Sequence, residues 1–141
     1  MRRLGLDRRV GERRSAADLL NEANGAMERP VVEDGVTSVL IPLRESINTV
    51  ITELLRRRPQ QESTKNWNDK VVSICNHCGI ASLPAAQFAK LGNDAELLMG
   101  ELSRAKQAGM ERQHLMSRFQ RGLLLLNALM DAIDINKLRS G

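Results

Sequence analysis

The residues with the greatest potential for chemistry lie in the sequence CNHCG, residues 75–79. It contains both cysteines of the chain, Cys75 and Cys78, and His77, one of only two histidines. Thiolate and imidazole groups bind zinc, but a structural zinc site needs four convergent ligands. The other histidine, His114, lies far along the chain, and no second CxxC or HxxxH motif supplies further ligands. The sequence therefore does not favour zinc, and we predict no metal.

The same cysteines could instead form a redox pair of the thioredoxin type. In such a pair the CxxC motif lies at the N-terminus of a helix, where the helix dipole stabilises a thiolate. We expect Cys75 and Cys78 near the C-terminal end of a helix that stops at Gly79, where the dipole opposes ionisation. We therefore interpret both as small apolar side chains packed in a core, the usual role of a buried free cysteine.

Catalytic motifs are scarce in the rest of the chain. Glu111 and His114 form one Glu-x-x-His pair, whereas a di-iron carboxylate bundle uses this pair twice. A homodimer would supply a second copy, with Glu45 or Glu53 as further carboxylates, but a charged, exposed helical turn explains the pair more simply. The sequence contains no Gly-rich phosphate loop, no HExxH or GxSxG motif and no tyrosine. We predict a protein that is not an enzyme and takes no cofactor.

The apolar residues are of types that favour helices. They are mainly Leu, Ala, Ile, Val and Met, and no stretch alternates as a half-buried strand does. The 141 residues suffice for one domain with its own core. No apolar run is long enough to span a bilayer, and we expect no secretory signal because the Arg-rich start is not followed by an apolar stretch. We predict an all-α helical bundle in the cytoplasm, with two long heptad-patterned helices and three or four shorter ones.

Capping and stop signals predict where the helices lie. Ser15 is the expected cap of the first helix, and Gly79, Gly92 and Gly109 are expected to end the third, fourth and fifth. The predicted helices cover about 16–27, 37–58, 65–78, 83–91, 94–108 and 110–138.

The charge distribution divides the chain into parts. Residues 1–14 contain six Arg against one Asp and one Glu, which gives the full net charge of +4 and leaves the rest neutral. We predict a mobile basic arm over 1–14, a short helix and linker over 15–35, and a helical bundle domain over 36–141. Such an arm could anchor a polyanion, although charged chain termini are commonly only solvated.

Two segments have the spacing of helices that pack along a seam, with apolar residues at alternating intervals of three and four. The first seam consists of Val36, Leu40, Leu43, Ile47, Val50 and Leu54. The second consists of Met116, Phe119, Leu123, Leu126, Met130 and Ile133. A further stripe on the second segment contains Leu115, Gly122, Leu125, Leu129 and Ala132. The run 123–126 is therefore apolar on all sides, and several neighbours must cover it.

That cover can come from the chain itself or from a second chain. Because large exposed apolar patches are rare on monomers, we predict a homo-oligomer or a complex with a protein partner. Gly122 inside the helix suggests close approach by another helix. The predicted interface consists of Leu43, Ile47, Val50, Leu54, Phe119, Leu123, Leu125, Leu126, Leu129, Met130 and Ile133. The predicted function is a non-enzymatic module for protein interaction or oligomerisation, as in a small subunit of a larger assembly.

An alternative function involves DNA. Residues 71–91 have the pattern helix, Gly-containing turn, short helix, which is typical of a helix-turn-helix and also of ordinary bundle corners. In a dimeric regulator the second helix would enter the major groove and the basic arm would contact phosphates. The nucleic-acid contacts would be Ser82, Gln87, Lys90, Arg2, Arg3, Arg8 and Arg9. Both hypotheses predict a dimer, so only nucleic-acid binding separates them.

Overall fold

The structure, a computed structural model, describes residues 5–7, 14–28, 36–57, 64–80, 83–104 and 112–134. The helices are α1 Ala16–Met27, α2 Ile41–Arg57, α3 Trp67–Cys78, α4 Ala85–Arg104 and α5 Arg112–Ala132, and a π-helical turn over Val36–Leu40 precedes α2. These ranges contain no β-strand, so the prediction of an all-α bundle is confirmed. None of the helices in them has both the length and the apolar character needed to cross a membrane.

Local signals determine several helix boundaries. Ser15 Oγ accepts a hydrogen bond from the Asp18 N–H at 3.1 Å, and the Asp18 carboxylate accepts one from the Ser15 N–H at 3.2 Å. This capping box starts α1 at the predicted position. Asn66 caps α3 by accepting a hydrogen bond from the Asp69 N–H at 2.8 Å. At the other end Gly79 leaves the helix in an extended conformation, which confirms the predicted stop.

Gly92 does not end a helix, and the predicted break between 83–91 and 94–108 is wrong. The helix α4 continues through this residue for a total of 20 residues. A Cβ atom at Gly92 would lie 2.6 Å from Asn68 Oδ1 and 3.0 Å from the Asn68 carbonyl oxygen. The glycine thus allows α4 to pack closely on α3, and this packing offsets its low helix propensity of roughly 1 kcal/mol relative to Ala.

The helix α5 ends at Ala132, and residues 133 and 134 are not helical, so the predicted continuation of this helix to residue 138 is wrong. The Ala132 carbonyl accepts a hydrogen bond from the Ile80 N–H at 2.9 Å, and the Asp134 N–H donates to the Cys78 carbonyl at 2.7 Å. These bonds form an antiparallel bridge between Gly79 and Ile133. The C-terminal end of α5 therefore lies beside the turn that leads into α4, and α4 and α5 run antiparallel. Residues 135–141 lie outside the described part.

The core is arranged around α2, which contacts each of the other four helices. Ser46 Oγ of α2 donates a hydrogen bond at 2.7 Å to the Ala16 carbonyl, a buried polar contact that connects α1 to α2. Leu6, within the range predicted to be a mobile arm, is only 2% exposed and belongs to the same core. The division at residues 14 and 35 stays a prediction, because most of the arm and the linker lies outside the described ranges.

Candidate interaction surface

The residues predicted to form an oligomer interface lie mostly in the core of the single chain. The buried ones are Leu43, Ile47, Val50, Leu54, Phe119, Leu125, Leu126, Leu129 and Ile133. Leu123 and Met130 are partly buried against the same core. A side chain that its own chain covers is not available to a second copy of the folded protein. The role of these residues in assembly stays a prediction, and only exposed residues can form a surface between folded chains.

The close approach predicted at Gly122 comes from α2 of the same chain. A Cβ atom at Gly122 would lie 2.8 Å from Leu43 Cδ1, so α2 packs directly on this part of α5. The chain also covers α5 with α4 and with the π-helical turn over Val36–Leu40. Most of the apolar run 123–126 is thereby covered within the monomer. Leu124 is the exception, because its side chain points away from all of these neighbours and is 69% exposed.

Two other large apolar side chains are exposed in the described ranges, Leu97 of α4 at 53% and Met116 of α5 at 41%. Arg121 Nη1 donates a hydrogen bond at 2.6 Å to Glu101 Oε2, which fixes the level at which the two antiparallel helices meet. Leu97 lies one turn before Glu101, so it is level with the residues one turn after Arg121, which include Leu124. Leu97 and Leu124 are therefore exposed at a similar level along the α4–α5 pair.

The outward face of α5 has its own seam spacing. Five exposed residues recur at intervals of four, three, four and three, and we call them the outer seam: Ser117, Arg121, Leu124, Ala128 and Asp131. Between 122 and 130 the helix carries no charged residue, although charged residues make up 27% of the chain. Depletion of charge around an exposed leucine is typical of the centre of a protein interface rather than of a solvated helix face.

Polar contacts hold this surface in place. Glu101 Oε2 lies 3.9 Å from Arg118 Nε in addition to its contact with Arg121, so one carboxylate of α4 serves two cations of α5. Arg44 Nε of α2 donates a hydrogen bond at 3.0 Å to Ser103 Oγ near the end of α4. Exposed ion pairs contribute only about 0–1 kcal/mol each. The two contacts of Glu101 fix α4 relative to α5, and the Arg44–Ser103 bond connects α4 to α2, so the outer seam lies on a preformed pair of helices.

The cysteines are buried, as predicted. Burial, and to a lesser degree the electrostatic influence of Cys78, raises the pKa of the Cys75 thiol from 9.0 to about 12. A thiol with this pKa stays protonated at neutral pH and is a poor nucleophile. Within the described ranges no group of three or more His, Cys, Asp and Glu side chains is placed to hold a metal ion. Glu111, of the Glu-x-x-His pair, lies outside those ranges.

We expect the free energy of unfolding to fall as the pH rises above 9.0 towards about 12. The folded protein keeps the proton on Cys75 in this range, whereas the unfolded chain loses it, so alkaline pH favours the unfolded chain. One such group contributes a slope of up to about 1.4 kcal/mol per pH unit. Urea unfolding at a series of alkaline pH values measures the slope, and Cys75→Ala should have a shallower one. Equal slopes in the two proteins would show that Cys75 is not the source.

The structure describes two of the residues predicted to contact DNA. Gln87 and Lys90 are exposed in the N-terminal half of α4, while Ser82, Arg2, Arg3, Arg8 and Arg9 lie outside the described ranges. Lys90 Nζ is 3.8 Å from Asp94 Oδ2. The Asp94 carboxylate beside the lysine weakens attraction to phosphate, and DNA binding stays a prediction.

Comparison of the chain with protein-family models, with curated protein sequences and with solved structures finds no match in any of the three. The sequence-based prediction missed Leu97 and the outer seam. The spacing of the outer seam is present in the sequence, but the seams on the other faces of the same helix contain more large apolar residues and dominate the pattern.

Proposed function

We propose that the protein is a non-enzymatic helical module for protein association, and that it associates with a second copy of itself through the outward surface of α4 and α5. The observation that carries this proposal is the 69% exposure of Leu124 in the middle of an uncharged helix face. Covering a leucine side chain fully contributes roughly 1.5–3 kcal/mol. Leu97 and Ala128 would add apolar area beside it, and a small subunit of a larger assembly could use the same surface.

The burial of most of the residues predicted to form the interface supports association between chains that are already folded. The core is complete within one chain in the described ranges, so assembly would not require the bundle to open. Such an interface is expected to have an apolar centre and a polar rim. Leu124 and Ala128 supply the centre, while Arg121, Glu101 and Asp131 supply the rim.

We expect Ala128→Glu to prevent self-association, because it places a carboxylate in the uncharged centre of the outward face. Ala89→Glu is the matched control: it makes the same change at an exposed alanine of α4 that lies outside the outer seam. Analytical ultracentrifugation at micromolar concentrations should find a monomer for Ala128→Glu and the same assembly as wild type for Ala89→Glu. Equal loss of assembly in both variants would argue against this surface, and both variants should remain folded.

DNA binding is the second proposal. It is supported by the exposure of Gln87 and Lys90 in the first turns of α4, the helix that follows α3 after its end at Gly79. The position is that of early residues in a recognition helix. A shift of duplex DNA at low salt that Lys90→Ala removes would favour this function. We rank it below protein association because Asp94 lies beside the lysine.

A further inference from the structure

We infer that the second copy packs antiparallel, with the outer seams of two α5 helices against each other and a twofold axis near residue 126. This inference rests on the proposed function and adds the direction, the register and the ion pairs of the dimer. It follows from the way charge is distributed along α5.

The charges of α5 are separated by sign. In the described part of the helix the Arg residues, Arg112, Arg118 and Arg121, lie in the N-terminal half, whereas Asp131 lies in the last turn and Asp134 follows the helix end. A parallel pair of α5 helices would place like charges together at both ends of the uncharged segment 122–130. An antiparallel pair places the acidic end of each helix beside the basic half of the other. The helix dipoles then point in opposite directions, which is also favourable.

One register satisfies both the charges and the apolar residues of the outer seam. If Arg121 faces Asp131 of the second copy, the axis lies midway between these positions, at residue 126. Leu124 then faces Ala128 of the second copy, and the twofold symmetry repeats each contact. The small Ala128 leaves room for the leucine side chain and lets the helices approach closely. In paired helices, seam side chains of one helix pack into the spaces between seam side chains of the other.

The contacts within each chain leave Arg121 and Asp131 available for this pairing. Arg121 donates one hydrogen bond to Glu101 within the chain, but a guanidinium group has five N–H donors in a planar fork. Glu101 therefore orients the side chain and leaves further donors for a second carboxylate. Asp131 is exposed on the outer face of the last turn of α5. Leu97, level with Leu124 on α4, would contact the flank of the incoming helix.

Charge reversal tests the ion pairs. Asp131→Arg and Arg121→Asp should each raise the dimer dissociation constant by about tenfold, because two exposed attractions become two repulsions. The double variant Arg121→Asp/Asp131→Arg should recover most of the wild-type affinity. Arg121→Asp also disturbs the contact with Glu101, so each melting temperature is measured alongside. Additive losses in the double variant, with every variant folded, would overturn the register.

Cysteine cross-linking tests the direction independently of charge. Cys75 and Cys78 are buried, so a cysteine added to the outer seam provides the accessible thiol. A mixture of Leu124→Cys and Ala128→Cys chains should form a disulfide-linked dimer. Leu124→Cys alone should not, because antiparallel packing offsets its two thiols by four residues, about 6 Å along the axis.

The outcomes separate the two proposals. If the wild-type chain dimerises and the Leu124→Cys chain forms an efficient disulfide with a second copy of itself, the antiparallel arrangement is overturned and the proposed function stands. A wild-type chain that stays monomeric would overturn both. Cross-linking between positions 124 and 128 together with rescue by the double charge reversal would establish the register.

Discussion

Leu126→Glu should destabilise the folded chain by at least about 4 kcal/mol, a large part of the roughly 5–15 kcal/mol by which typical domains are stable. Leu126 is 1% exposed, and no partner for a carboxylate is expected in its apolar surroundings. The substitution removes the burial of a leucine side chain. It also places in the core either a charged carboxylate or a carboxyl group that must bind a proton, and both cost free energy. Urea unfolding followed by circular dichroism measures the change.

Leu124→Glu is the matched control, because it makes the same substitution two residues earlier on the same helix. Its side chain is 69% exposed, so the free energy of unfolding of the monomer should change by no more than about 0.5 kcal/mol. A comparable loss in both variants would mean that the orientation of α5 is wrong. A stable Leu126→Glu variant that merely loses assembly would instead place Leu126 in an interface between chains.

Gly92→Ala should destabilise the protein by about 1–3 kcal/mol, although alanine is the better helix former. The added methyl group would lie 2.9 Å from Val72 Cγ2 and 3.0 Å from the carbonyl oxygen of Asn68. The backbone oxygen cannot rotate away as a side chain can, so α3 and α4 must separate. Denaturant unfolding under identical conditions compares the variant with wild type.

Gly100→Ala is the control for this substitution, because it changes a second glycine in the interior of α4. The nearest atom to its added methyl group is Arg104 Nη2 at 3.6 Å, at the end of a flexible side chain. We expect this variant to gain up to about 1 kcal/mol from helix propensity. If Gly92→Ala were as stable as Gly100→Ala, the close crossing of α3 and α4 would not exist.

Features decided within a few residues could be predicted from the sequence. The capping box of Ser15 and Asp18 and the stop at Gly79 involve only neighbouring groups, and both are observed. The helix end predicted at Gly92 is wrong because this glycine serves the packing of α4 on α3, which lies some twenty residues earlier in the chain. Likewise α5 ends where its backbone pairs with Gly79 and Ile80, a contact that no local pattern of residues 110–138 contains.

The candidate surface was harder to predict than the fold. Apolar spacing indicates which faces of a helix are buried, but it does not distinguish cover by the same chain from cover by another. Leu43 and Leu126 thus have the pattern of an interface and lie in the core of one chain. Leu124 lies in the same run of leucines and is left uncovered, which depends on where α2, α4 and the π-helical turn meet α5.

The most direct test of self-association through the outer surface is the mass of the wild-type chain as a function of concentration. Sedimentation equilibrium over the micromolar range should give a weight-average mass that rises from the 15.7 kDa of the monomer towards twice that value. The rise should be reversible on dilution and absent in Ala128→Glu. A mass that stays at 15.7 kDa throughout, with the protein folded, would contradict self-association.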